Sequence, residues 1–142
     1  MAYLIFNGNS LYKIAANDTE KDKLHLNDSY DVQTISDTDF NNVRLNKKIV
    51  SYDGTTITYT DETWKFPDEE NLKAYVLVSV KSACEDYLNV NESTDPQYSE
   101  VKTYFQLIEN FDFGSITYSL DKSWEEYCND NSITFLHPLQ IA

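Results

Sequence analysis

This sequence predicts an α+β fold, with N-terminal antiparallel β hairpins followed by a helix-rich C-terminal half. Three observations carry that reading. Asn7-Gly8 and Asp53-Gly54 each interrupt paired runs of apolar and β-branched residues, the pattern of tight hairpin turns. After "KFPDEENLKAY" the apolar residues recur every three or four positions, the period of a helix. No strand–helix–strand alternation runs through the chain, which argues against a doubly wound α/β arrangement. At 142 residues the chain is expected to be a single domain, 1–142, whose place of subdivision would lie between a β-rich 1–66 and a helix-rich 67–142.

The elements follow in order. "AYLIFNGNSLYKIA" gives the first hairpin, "DTEKDKLHL" a turn or a single helical turn, and "DVQTIS" a further strand. "SDTDFNNVRLNKK" reads as a short helix capped at Ser36 or Asp37, with Phe40 and Val43 on one side. In "KIVSYDGTTITYTD" Ile57 and Tyr59 alternate with Thr56, Thr58 and Thr60, as a half-exposed hairpin arm should. Pro67 at the first helical position and three acids after it start a helix running to about Leu88. Its "YVLVSV" segment favours a strand by propensity, but length and 3.6-residue spacing decide for helix. "NVNESTDPQ" is a linker, and a second helix spans Pro96 to about Phe111. A third, short helix carries Leu120, Trp124, Tyr127 and Cys128 on one side, with Glu125 and Glu126 facing away. With only three glycines, Asn residues such as Asn7, Asn46 and Asn131 take much of the turn work.

Charge removes several function classes. Twenty-four acidic against 11 basic residues, a net charge of −13, disfavours a nucleic-acid backbone as partner and also an anionic membrane. No window approaches a membrane span, and the start lacks the basic region of a signal peptide, so secretion by such a peptide is not expected. An acidic decoy that competes with nucleic acid is one reading of the charge alone. Cys84 and Cys128 lie far apart without metal-type spacing and are expected to be free, buried thiols.

Catalytic signatures are missing. His25 and His137 stand alone in sequence, and the acidic runs lack the alternate-position oxygens, central Gly and closing Glu of a calcium loop. Asp37 and Asp39, like Asp68 to Glu70, are explained by helix capping and first-turn charge. There is no GxSxG, HExxH or CxxC, and three glycines leave no phosphate-cradling loop. No catalytic residue, metal or cofactor is therefore assigned.

What remains is aromatic and apolar. The chain has eleven Tyr and two Trp; Tyr52, Tyr59 and Trp64 cluster around the second hairpin, and Trp124, Tyr127, Phe135 and His137 around the C-terminal tail "FLHPLQIA", which carries no charged residue. Such a tail docks either on the chain's own core or on another protein. The candidate contact residues are Thr56, Thr58 and Tyr59 of the hairpin, with Trp124, Phe135, Leu136, Leu139 and Ile141 near the tail. A protein partner or a homo-oligomer is expected, and enzyme activity is not. The alternative is a small enzyme or ligand-binding domain with a carboxylate- and tyrosine-lined pocket.

Three patches, "MAYLIFNGNSLYKIAANDTEKD", "ISDTDFNNV" and "SLDKSWEEYCNDNSITFLHPLQIA", resemble small structural or tail-fibre-assembly proteins of marine T4-like bacteriophages. The resemblance covers about a third of the chain and includes no chemical motif. It implies a non-enzymatic protein working through contacts with other phage proteins, in the host cytoplasm or in the virion.

Overall fold

Alternation of apolar residues around Gly8 builds the first sheet. In the computed structural model, which describes residues 1–141, β1 (Ala2–Asn7) and β2 (Ser10–Ala15) form a hairpin whose turn needs the left-handed φ of +63° at Gly8. β3 (Asp31–Ile35) pairs antiparallel with the other edge of β1, so the strand order is β2-β1-β3. Helix α1 (Asp18–Asp22), capped by Asn17, is the expected helical turn. Helix α2 (Asp37–Arg44) starts at Ser36, whose Oγ accepts the Asp39 N–H at 3.1 Å. It ends in a Schellman motif: Asn46 takes a φ of +54°, Asn46 N–H reaches Val43 O, and Lys47 N–H reaches Asn42 O. That reversal launches β4 (Lys48–Tyr52), which pairs with β5 (Ile57–Asp61) as a separate two-stranded sheet. Tyr52 stacks on Phe6 with ring centroids 4.1 Å apart and donates its hydroxyl to Asp31, tying β4 to β1 and β3. These elements make up an N-terminal unit, Met1–Glu62.

The C-terminal unit, Thr63–Ile141, is helical. Its first helix begins at Glu69, two residues after Pro67, because Asp68 is the N-cap and accepts the Asn71 N–H at 2.9 Å. It runs as α3 (Glu69–Tyr75), a π-helical segment (Val76–Lys81) and α4 (Ser82–Val90). The underwound middle has a cause in the sequence. The buried residues are Leu72, Val76, Val80, Cys84 and Tyr87, mostly four apart. Four residues overshoot one α-turn by about 40°, so this row would slide off the core within three steps. Wider π turns hold it in line. The β-branched run that mimics a strand thus packs as a helix, with Val78 turned to solvent at 72% exposure.

Helix α5 (Tyr98–Glu109) packs against this long helix through Val101, Tyr104 and Ile108. An isolated bridge between Phe66 and Leu120, with reciprocal bonds of 2.8 and 2.9 Å, clips the entry of the unit to the segment before α6 (Trp124–Asp130). The Ser123 Oγ caps α6 by accepting the Glu126 N–H. A second Schellman reversal, with Ser132 at φ +58° and Ile133 N–H bonded to Cys128 O at 2.8 Å, sends the tail back along the unit. Antiparallel strands followed by helices make this an α+β chain.

Deleting Ser79, an exposed residue of the π segment, would turn the four-four-four-three spacing into the alternating four-three of an ordinary α-helix. The deletion variant is expected to fold, with its melting temperature within about 5 °C of the parent. Deleting Thr103 from α5, where Tyr104 and Ile108 would leave the core face, is expected to abolish cooperative melting. Thermal unfolding followed by circular dichroism checks both.

Candidate functional site

The sequence-predicted contact residues separate into two groups. Trp124, Phe135 and Ile141 are buried in the core of the C-terminal unit, Leu136 is half-buried against it, and Leu139 is half-buried. The first four are therefore packing residues of their own unit, a correction to their expected place on a surface. The reason is visible around Trp124, which has no exposure. Its indole N–H donates to the Tyr104 hydroxyl at 3.0 Å, its ring stacks on Tyr127, and Phe111 meets it edge-on at 5.2 Å. Phe135 then packs edge-on against Tyr104. His137 is buried, and its Nδ1 accepts the Leu139 N–H at 3.0 Å, so it closes the turn Pro138–Gln140. His25 is exposed with a φ of +50°.

Glu125 is the residue that sequence reasoning misplaced. Expected to face away, it is 1% exposed, and its Oε1 accepts the Tyr75 hydroxyl at 3.1 Å. Burial first, and then the Glu125 carboxylate, push the Tyr75 hydroxyl above its ordinary range. Burial likewise raises Tyr104, pushes the Cys84 thiol up to about 11 and raises Cys128, the last with help from Glu125. Both thiols are free, as expected, and stay protonated at neutral pH, the opposite of a reactive cysteine. A carboxylate and tyrosines do meet here, but inside the core. One open groove of this unit is lined by Asp68, Glu69, Glu70 and Lys73 instead, an exposed helix start. Among the described residues no group of three or more His, Cys, Asp or Glu is placed to hold a metal ion. No helix among them is long and apolar enough to cross a membrane.

The hairpin group is different. The register pairs Ile49 with Thr60, Val50 with Tyr59, and Ser51 with Thr58. One face of β4–β5 therefore carries Ile49, Ser51, Thr58 and Thr60, all exposed, and Thr56 continues it. Tyr59 lies on the other face, half-buried. The turn is held by Asp53, whose carboxylate accepts the Thr55 and Thr56 N–H groups and is kept below the ordinary carboxylate range by those two bonds.

Edge chemistry follows from the ladder. Asp53 N–H bonds Thr56 O, and Glu62 N–H bonds Lys47 O at 2.9 Å. Antiparallel bonding alternates every second residue, so Thr58 and Thr60 bond inward to β4 as well. The N–H and C=O groups of Ile57, Tyr59 and Asp61 point outward, and β5 is hydrogen-bonded to no strand except β4 among the described residues. The Asp61 carboxylate pairs with Lys48 of the neighbouring strand. No family model matches this chain, and neither a curated protein nor a solved structure matches it.

Replacing Tyr104 by Phe strands the indole N–H of Trp124 in the core. The expected cost is about 1–3 kcal/mol of unfolding free energy, the penalty for an unmade buried hydrogen bond, with the fold retained. Denaturant titration measures it, and an unchanged midpoint would show that the indole bond contributes nothing.

Proposed function

We propose that this protein is a non-enzymatic protein–protein interaction component, acting in a bacteriophage virion or during its assembly. The open outer edge of β5 supports this reading: it offers three residues' outward backbone groups beside an exposed threonine face. An extended strand from a partner gains main-chain hydrogen bonds on such an edge, and side chains on alternate positions supply selectivity. The rest of the chain is consistent with a contact role. Its polar interior groups, Glu125 with Tyr75 and Trp124 with Tyr104, are enclosed. Neither histidine is set as an acid–base group: one closes a turn and the other sits in an exposed left-handed position. The phage context comes from the three sequence patches, and it makes the partner another phage protein.

The Asp61→Pro variant removes one outward N–H without touching a ladder bond to β4, since Pro is tolerated on the open side of an edge strand. It also removes an exposed ion pair, so its melting temperature should move by no more than about 4 °C. In gradient sedimentation of lysates from infected cells, the parent chain is expected with particles or assembly intermediates, and the folded variant at the top. Parent chain found only at the top, free of any assembly, contradicts the proposal.

A further inference from the structure

Two tyrosines stack across the first sheet. The rings of Tyr12 and Tyr30 lie 4.8 Å apart between centroids and 12° from parallel. They come from opposite sides of β1, since the strand order is β2-β1-β3 and Tyr30 directly precedes β3. Two strand spacings, about 10 Å, separate their backbones, so each ring leans over β1 to meet the other. For Tyr12 a bulge makes this possible. Ile5 pairs with Lys13 and Phe6 with Leu11, which leaves Tyr12 with no residue of β1 opposite it and re-aims its side chain. Among the described residues, the other ring-to-ring contacts of tyrosines are made with Phe or Trp. A hydrogen bond with the Tyr30 hydroxyl is the largest cause pushing the Tyr12 hydroxyl above its ordinary range, so both hydroxyls lie at the same end of the stack. A head-to-tail stack would hold them a ring length apart. The pair is open to solvent, with Tyr12 39% exposed and Tyr30 half-buried, whereas both thiols of the chain are buried and protonated.

We propose that Tyr12 and Tyr30 form a modification site, at which a peroxide-driven one-electron oxidant joins the two rings as an intrachain dityrosine. Each phenol gives up one electron and one proton and becomes a phenoxyl radical. The para carbon of each ring carries the rest of the side chain, so coupling runs through the carbons ortho to the hydroxyls. Head-to-head stacking sets those carbons side by side. One C–C bond forms between them, and the two displaced ring hydrogens move as protons to the phenoxyl oxygens, restoring both phenols. Hydrogen peroxide takes up the two electrons and two protons and leaves as two molecules of water. The link ties both outer strands of the sheet together over β1 and closes the chain between Tyr12 and Tyr30, α1 included. An N-terminal unit that contains no cysteine thereby gains a covalent staple, which stabilises it by restricting the unfolded chain. This chemistry is independent of the contact role of β5.

The test treats the dilute full chain with a haem peroxidase and hydrogen peroxide, then applies intact-mass measurement, peptide mapping and amide hydrogen exchange. The expected product is a single chain lighter by two hydrogen atoms, with dityrosine fluorescence and a linked peptide pair containing Tyr12 and Tyr30. Amide exchange in β1, β2 and β3 is expected to slow once the link is made. Tyr12→Phe and Tyr30→Phe keep a ring in the stack but lack one phenol, so each should fold as the parent does and lose the link. A chain that gains no link, dityrosine found only between separate chains, or linked peptides built from other tyrosines overturns the site. Single-chain dityrosine that persists in Tyr12→Phe does the same. A linked chain whose exchange in the first sheet is no slower than the parent's overturns the staple.

Discussion

The C-terminal unit closes on one side chain, Trp124. Its ring is enclosed by Phe111, Phe113 and Tyr127, and its indole N–H is satisfied by Tyr104 from α5. Truncating a buried tryptophan of this kind costs about 3–5 kcal/mol, a large part of a small domain's stability. The neighbouring geometry follows from it. Seating Trp124 requires α6 to start where Ser123 caps it, and this places Glu125, the next residue, inside the unit beside Tyr75. There its Oε1 accepts the Tyr75 hydroxyl, which offsets part of the cost of burying a carboxylate. The reversal at Ser132 then brings Phe135 onto Tyr104 and Ile141 into the core.

This arrangement decides what the surface has to offer. The apolar tail, which carries the sharpest hydrophobic signal in the sequence, is used up in packing. The tyrosines with the most strongly raised hydroxyls, Tyr75 and Tyr104, are locked in interior bonds. Backbone is left without a strand partner at the sheet edges, among them the edge of β5, beside an exposed face of Thr58, Thr60 and Ile49. An acidic surface works in the same direction. It repels anionic partners.

Much of the fold was legible because its signals are local. Asn7-Gly8 and Asp53-Gly54 fix their hairpins within a few residues, and Ser36 caps α2 through its own side chain. The π segment also left a trace, the run of fours from Leu72 to Cys84, but single spacings do not reveal how a helix will unwind to keep them aligned. Glu125 was illegible for a different reason. A seven-residue helix has too few turns to show which side is inward, and charge alone suggests solvent. The destination of "FLHPLQIA" was equally hidden, since an apolar run announces burial without naming the surface that receives it. Of the candidate contact residues, the hairpin threonines were readable from strict alternation. Those near the tail depended on packing between distant segments, which no local pattern encodes.

The most direct measurement is thermal unfolding of a chain ending at Thr134, compared with the full chain under the same conditions. If the tail belongs to the core built on Trp124, the shortened chain loses Phe135, His137 and Ile141 from that core and no longer melts cooperatively in its C-terminal unit. A shortened chain that melts as sharply and as high as the full one would contradict this, and would return the tail to the surface as a contact element.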